Sequence, residues 1–201
     1  MRKDTKEMLE RILSENGGIV TRKKLISEGI SDYFIKQFEA EGVIERVKQG
    51  LFKLNKSTLE NEELLVISAQ IPKGVICLLS ALSYYELTTY TPWQYFVAIP
   101  RHYSVPKTIE NPPIKVIYFP PKQYNTGIEK VKVGEHSHFL IYDMEKTICD
   151  TIRYKDKYGA DIMKEALKNY VRRRDKNLSK LVQYAETLQV QDIHKYLEVI
   201  L

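Results

Sequence analysis

Cysteine is scarce in this chain of 201 residues, which contains only Cys77 and Cys149. The two stand apart in the apolar contexts VICLL and KTICDTI, and no CxxC spacing occurs. A disulfide framework needs more cysteines, and a structural zinc site usually begins from a CxxC pair. The sequence therefore predicts two buried thiols rather than a disulfide or a metal site.

Long hydrophobic runs are also missing. No segment approaches the roughly 18 apolar residues that a membrane span requires, and the charged start MRKDTKEMLE has no apolar stretch behind it. We therefore expect a cytoplasmic protein with no membrane partner. The charge is nearly balanced, with 31 basic and 26 acidic residues and a net charge of +5, so an acidic partner is permitted but not specified.

The common signatures of catalysis are absent from the sequence. It has no glycine-rich phosphate loop, no GxSxG and no HExxH. Asp143, Glu145 and Asp150 cluster as metal ligands do, but helix chemistry explains them: Asp143 as an N-cap, Glu145 in the first turn, and Asp150 four residues after Lys146. We expect a protein that is not an enzyme.

Two histidines alternate in a β-rich run. His136 and His138 would point to the same face of a strand, but no third ligand stands at a telling spacing. We expect surface positions for both, with no metal and no cofactor.

Apolar periodicity predicts a helix over residues 4–15, followed by the glycines of ENGG. Thr21 is placed to cap a second helix, with Leu25 and Ile26 facing inward. Arg22, Lys23 and Lys24 then fall in the first turn, where the helix dipole opposes cations. Basic residues at that position indicate a phosphate ligand.

A third helix is predicted after Ser31, with Phe34, Ile35 and Phe38 on its apolar side. Its outer side would carry Tyr33, Lys36, Gln37 and Glu41. Two short strands, 43–47 and 51–54, would follow around a turn that contains Lys48, Gln49 and Gly50.

This order of three helices and a hairpin is typical of a winged helix-turn-helix. The second helix of that motif enters the major groove of DNA. We predict such a DNA-binding domain over residues 1–56. The same fold also serves as a protein-interaction module, and in that alternative Lys36→Glu would leave nucleic-acid binding unaffected.

The remainder, residues 57–201, is predicted to be an α+β domain. Ser57 and Glu60 form a capping-box pattern, GVICLL reads as a strand, and Ser80 would cap the helix SALSYYEL. YFVAIP, IKVIYFP, IEKVKVG and SHFLIYD indicate a small, mostly antiparallel sheet. Helical periodicity from Asp143 onward predicts a helical C-terminal third.

The sequence resembles the AbiEi family of antitoxin-type transcriptional regulators. The likeness rests on IERVKQGLFKL, LLSALSYYELT, VAIPR, YDMEKTICDTIRYKDKYG, EALKNY and LVQYAETLQV, which occur in the expected order over nearly the whole chain. It implies a DNA-binding repressor of its own operon in a type IV toxin–antitoxin system. It also implies a functional partner, a nucleotidyltransferase-like toxin, that is countered without a stable direct complex.

The resemblance implies DNA contact only for basic and polar residues at the matching winged-helix positions. These residues are Arg22, Lys23, Tyr33, Lys36, Gln37, Arg46 and Lys48.

A second basic block lies farther along the chain. Residues 151–180 contain 10 basic and 4 acidic residues, and the cations Lys164, Lys168 and Arg172 recur at helical spacing, extended by Arg173 and Arg174. This block could bind a second phosphate backbone or form a solvated helix face. A further alternative is a metal-dependent nucleic-acid enzyme, in which Asp150→Ala would abolish turnover and retain the fold.

Overall fold

The computed structural model describes residues 2–55, 61–105, 112–133 and 137–200. The chain divides into two compact units, one formed by residues 1–72 and 130–139 and the other by residues 73–129 and 140–201. The chain is α+β and contains a small antiparallel sheet as well as helices, consistent with an N-terminal domain of the helix-turn-helix type. The predicted boundary at residue 56 and the capping box of Ser57 and Glu60 fall outside the described residues.

The first unit begins with three helices and a hairpin. Its elements are α1 (Arg2–Glu15), β1 (Ile19–Thr21), α2 (Arg22–Ser27), α3 (Asp32–Ala40), β2 (Ile44–Lys48), β3 (Leu51–Leu54) and α4 (Glu62–Gln70). Within the described residues β1, β3 and β2 form a three-stranded antiparallel sheet in that order. The sequence patterns predicted these helices and the hairpin, but not β1.

The core of this unit collects the predicted apolar stripes. Leu9, Ile12 and Leu13 of α1 pack with Leu25 of α2 and with residues of α3 and the hairpin. Ile26 departs from the prediction, because its side chain is 46% exposed rather than turned inward.

The helix α4 belongs to the first unit. A domain boundary at residue 56 would place it in the second. Polar side chains of the hairpin explain this placement. Lys53 Nζ donates to both carboxylate oxygens of Glu62, at 2.9 and 2.8 Å, and Lys48 Nζ donates to Gln70 Oε1 at 2.5 Å.

The second unit is built on a mixed sheet and a set of helices. Its elements are β4 (Val75–Ile76), α5 (Leu78–Tyr84), β5 (Tyr95–Pro100), β6 (Ile114–Phe119), α6 (Pro121–Asn125), β7 (Ile128–Val133), β8 (Ser137–Tyr142), α7 (Met144–Arg153), α8 (Lys155–Tyr158), α9 (Ala160–Arg172), α10 (Leu178–Leu188) and α11 (Ile193–Ile200). The outer ends of β7 and β8, residues 130–139, belong to the first unit.

The larger sheet differs from the mostly antiparallel arrangement that the sequence predicts. In the described part of the chain its order is β6-β5-β4-β8-β7. The pair β4 and β5 is antiparallel, whereas β4 with β8 and β5 with β6 are parallel. The parallel pairs arise because the sheet joins strands that are separated by long connections, whose direction local patterns do not encode.

The start of α5 is a second correction. The strand β4 ends at Ile76, and α5 begins at Leu78 with Cys77 as its N-cap residue, so the apolar run GVICLL is shared between a strand and a helix. Ser80 lies inside the helix, where its hydroxyl accepts the backbone N–H of Phe96 at 2.8 Å. An apolar run does not by itself distinguish a buried strand from a buried helix.

Candidate nucleic-acid interface

The outer side of α3 presents the three residues that the sequence singled out. Ile35 and Phe38 are buried in the core, so positions 33 and 36 face solvent. The Tyr33 side chain is 69% exposed, Lys36 is exposed and Gln37 is half-buried. The Tyr33 ring packs edge-on against Phe34, with centroids 5.5 Å apart, which supports the phenol at the surface.

The N-terminus of α2 lies beside the hairpin turn. Thr21 caps the helix as predicted, accepting the backbone N–H of Lys24 at 3.2 Å. The backbone N–H of Arg22 donates to the carbonyl of Gly50 at 2.7 Å, and Gly50 adopts the left-handed conformation, φ +74°, that its turn requires. An open depression of about 440 Å³ forms here. It is lined by Thr21, Arg22, Lys23, Ile26 and Gly50.

Two of the predicted arginines are bound by carboxylates of α3. Arg22 Nε donates to Asp32 Oδ1 at 2.8 Å, and its Nη2 donates to Oδ2. Arg46 Nε and Nη2 donate to the two carboxylate oxygens of Glu39, each at 2.8 Å. The hydrogen bond from Arg46 lowers the pKa of Glu39 from its ordinary value. Both pairs are therefore charge-assisted and bidentate.

The predicted wing residue Lys48 is directed toward α4. Its ammonium donates to Gln70 Oε1, and a register shift between Arg46 and Lys48 marks a bulge in β2. Among the described residues, in contrast, the side chains of Lys23 and Lys36 form no hydrogen bond and no ion pair. The structure thus brings α2, α3 and the hairpin turn together, with Lys23 and Lys36 as cations without a partner in the described chain.

The second basic block lies on α9 and just beyond it in the second unit. Lys164, Lys168, Arg172 and Arg174 are exposed. Arg173 has a different role, because its guanidinium donates to both oxygens of Asp175 at 2.8 Å and to the carbonyl of Tyr85 at 3.2 Å. Four of the five predicted cations therefore face solvent, and the fifth joins the C-terminal end of α9 to the segment after α5.

The acidic residue Glu165 of α9 is turned away from that stripe. Its carboxylate accepts the Thr88 hydroxyl at 2.8 Å and the N–H and hydroxyl of Thr89, each at 2.9 Å. These hydrogen bonds lower the pKa of Glu165. The carboxylate therefore stays ionised, and it is bound by the loop at 88–89 rather than by a cation of the stripe.

The carboxylates around α7 are buried and occupied. Asp143 accepts the backbone N–H of Lys146 at 2.7 Å, as the predicted N-cap. Asp150 pairs with Lys146, as its spacing predicted, and accepts Gln123 Nε2 at 3.0 Å. Burial raises the pKa of Asp150 despite the neighbouring ammonium.

The remaining carboxylate, Glu145, does more than interact with the helix dipole, because it joins α7 to α9 and to the segment after α9. It is 3% exposed and accepts the Tyr170 hydroxyl at 2.8 Å and the Asn177 N–H at 3.1 Å. Lys180 Nζ lies 3.4 Å from Glu145 and 3.0 Å from Asp143. These side chains satisfy one another and leave little acceptor capacity for a cation.

The described part of the chain contains neither a metal-binding cluster nor a membrane-spanning helix. Within the described residues, no group of three or more histidine, cysteine, aspartate or glutamate side chains is arranged to hold a metal ion. No helix in that part of the chain is long and apolar enough to cross a bilayer. Burial lowers the pKa of His138, whereas His136 lies outside the described residues.

Sequence reasoning missed Asp32 and Glu39, the residues that bind the predicted arginines. The sequence patterns singled out neither of them. Their separation of seven residues places them on the same side of α3, which is the one signal that the sequence offered. Their arginine partners lie on other elements, so the two pairs could be identified only once the fold was known.

The chain resembles known proteins in its fold and, over one segment, in its sequence. The crystal structure of the RV2827C protein from Mycobacterium tuberculosis is similar in fold, with a TM-score of 0.57 at 11% sequence identity over 91% of this chain and 71% of that chain. No curated protein matches. Residues 7–54 match a family model described as "Transcriptional regulator, AbiEi antitoxin". The predicted resemblance to AbiEi antitoxin regulators is therefore confirmed for residues 7–54, the segment that contains α2, α3 and the hairpin.

Proposed function

We propose that the first unit is a winged helix-turn-helix that binds double-stranded DNA upstream of its own gene. The observation that carries the proposal is the outer side of α3, where exposed Tyr33 and Lys36 and half-buried Gln37 stand beside the start of α2. In a helix-turn-helix the second helix reads base edges in the major groove. Tyr33, Lys36 and Gln37 are the base-reading residues in this account.

The other predicted contacts are assigned to the phosphate backbone. Lys23 extends from the first turn of α2, and its exposed side chain forms no ion pair within the described chain. Arg22 keeps Nη1 as a donor, because its pair with Asp32 uses Nε and Nη2. Arg46 has the same arrangement with Glu39. Lys48, which bonds Gln70, contributes less than the sequence alone implies.

The biological role follows from the resemblance as well as from the surface. We propose a repressor of its own operon that serves as the antitoxin to a nucleotidyltransferase-like toxin, without a stable complex between the two. The match of residues 7–54 to antitoxin regulators supports this role. The carboxylates around α7 already accept hydrogen bonds from protein groups, which favours this role over that of a metal-dependent enzyme.

The proposal is tested by DNase footprinting of the purified protein on its own upstream region, with a scrambled region of equal composition as control. We expect protection of a discrete site of about one to two helical turns, since paired half-sites lie about 10 base pairs apart. Uniform protection of both DNAs, or protection of neither, would contradict sequence-specific binding and would favour the protein-interaction alternative.

We further propose that Lys164, Lys168, Arg172 and Arg174 bind a nucleic-acid backbone. Residues four apart on a helix are about 6 Å apart along its axis, so the stripe offers a regular row of cations for phosphates. The neighbouring carboxylate of Glu165 is held by Thr88 and Thr89 rather than by a cation of this row, so these cations keep their donors for phosphates.

The triple variant Lys164→Glu/Lys168→Glu/Arg172→Glu tests this surface. If all three contact phosphates, the slope of log K against log salt for duplex DNA should become shallower by about 2.7, at about 0.9 per contact. The matched control is Lys115→Glu/Lys122→Glu/Lys195→Glu, which changes three exposed lysines of the same unit. Equal effects of the two variants would reduce the α9 stripe to a solvated face.

A further inference from the structure

Two carboxylates of α3 are placed to control the charge of the proposed DNA surface. Asp32 and Glu39 are seven residues apart, so they lie on the same side of the helix, about 10 Å apart along its axis. Each accepts two hydrogen bonds from an arginine on a neighbouring element: Arg22 at the start of α2 and Arg46 on β2.

The geometry of both pairs is that of a strong ion pair at a surface. Arg46 and Glu39 are joined by two hydrogen bonds of 2.8 Å, and the Arg46 guanidinium also lies 5.5 Å from the centroid of the Phe52 ring. Their side chains are 48% and 30% exposed. Water and ions therefore reach the pair, and a phosphate could compete for the guanidinium.

The two ion pairs affect how the protein binds DNA irrespective of the DNA sequence. The affinity of a protein for unrelated DNA comes mainly from cations that replace counterions on phosphates. Arg22 and Arg46 are each neutralised by their partner carboxylate. Of the cations assigned to the surface, Lys23 and Lys36 are the ones whose side chains form neither a hydrogen bond nor an ion pair within the described chain.

We propose that Asp32 and Glu39 restrain the binding of unrelated duplex DNA by holding Arg22 and Arg46 as neutral pairs. The ligand whose binding they weaken is the phosphate backbone, because they offset the charge of each guanidinium while its Nη1 stays available as a donor. This inference rests on the proposed function of the first unit and identifies Asp32 and Glu39 as specificity-determining residues. The base-reading residues of α3 are then left to supply the discrimination between sequences.

The test is an anisotropy titration of Glu39→Gln against an unrelated duplex over a salt series. Glutamine keeps the size of the side chain but removes the charge that offsets Arg46. If one phosphate contact is gained, the salt slope should steepen by about 0.9, and affinity at 0.1 M salt should rise about five- to tenfold. Asp32→Asn should act in the same direction through Arg22.

The matched control is Glu10→Gln, which removes an exposed carboxylate on α1 and raises the net charge by the same amount. A gain specific to Glu39→Gln should disappear in the double variant Glu39→Gln/Arg46→Gln. If Glu39→Gln and Glu10→Gln bind the unrelated duplex equally, or if the gain persists without Arg46, the proposed restraint is wrong. Circular dichroism of each variant checks that the fold is retained.

Failure of this inference is distinguishable from failure of the proposed function. If the protein prefers its own upstream duplex and Glu39→Gln has no effect beyond its control, the restraint alone is rejected. If neither duplex is preferred, the proposed function itself is rejected.

Discussion

At the scale of single residues, Gly17 occupies a position that has no room for a methyl group. Its φ is +66°, and a Cβ built there would overlap the Cβ and hydroxyl of Ser137 and lie 3.1 Å from Ser137 Cα. The Ser137 hydroxyl donates to the carbonyl of Asn16 at 2.9 Å. The turn after α1 and the start of β8 thus approach each other within the first unit.

Gly17→Ala should therefore destabilise the protein by more than backbone strain alone, which costs about 1 kcal/mol or slightly more. We expect a loss of about 2–4 kcal/mol in the free energy of unfolding, measured by urea denaturation, since overpacking adds about 1–3 kcal/mol. Gly50→Ala is the control, because Gly50 has a similar φ of +74° and the nearest atom to a Cβ built there, Arg22 Cβ, is 4.0 Å away. Equal losses in the two variants would contradict the close approach.

The caps of individual helices show how well single residues can be read from sequence. Thr21 and Asp143 both cap the helices predicted for them, because an N-cap hydrogen bond joins residues three apart and needs no distant partner. The predictions that Ile26 faces the core and that Ser80 caps a helix were wrong for the opposite reason. Whether these residues face the core or a strand depends on elements far along the chain.

At the scale of elements, α7 is the most deeply buried helix segment described, with every residue from Glu145 to Ile152 buried. It includes the Lys146–Asp150 pair. The Lys146 ammonium lies 4.9 Å from the centroid of the Phe119 ring and 4.4 Å from that of Tyr142. A buried charge that loses its partner is strongly unfavourable.

Asp150→Ala should consequently lower the stability of the second unit by about 3–5 kcal/mol, because Lys146 is left as an unpaired buried cation. Thermal or urea unfolding measures the effect. The control is Asp161→Ala, whose side chain is fully exposed and pairs only at 3.6 Å with Lys164; a change below about 1 kcal/mol is expected there. A stable Asp150→Ala protein would contradict this structural role and revive the metal-dependent alternative.

The strands divide into those that local patterns predict and those that they do not. β2, β3 and β5 to β8 carry β-rich runs bounded by turn residues, so their existence was predictable. β1 has three residues and β4 has two, too few for a period to be detected. Each exists because it pairs with another strand, β1 with β3 and β4 with both β5 and β8.

At the scale of the molecule, the order of elements was more predictable than their grouping. The sequence indicated a helical and hairpin region before an α+β region, but residues 130–139 belong to the first unit and α4 does as well. Such groupings depend on contacts like Ser137 with Asn16, which are separated by 121 positions in the sequence. No local pattern encodes them.

The candidate interface shows the same division between what is local and what is not. The exposed side of α3 follows from helical periodicity, so Tyr33, Lys36 and Gln37 could be chosen from sequence. The partners of Arg22, Arg46 and Lys48 could not, because Asp32, Glu39 and Gln70 reach them only after α2, α3, the hairpin and α4 have packed.

The central claim is that α3 reads a DNA sequence through Lys36. The most direct measurement is the ratio of affinities for the protein's own upstream duplex and a scrambled duplex, by fluorescence anisotropy, for wild type and Lys36→Glu. Lys6→Glu on α1, where Lys6 is exposed, supplies the same change of charge as control. We predict a clear preference for the upstream duplex in wild type and Lys6→Glu that falls to near unity in Lys36→Glu. A preference unchanged by Lys36→Glu, or absent from wild type, would contradict the account.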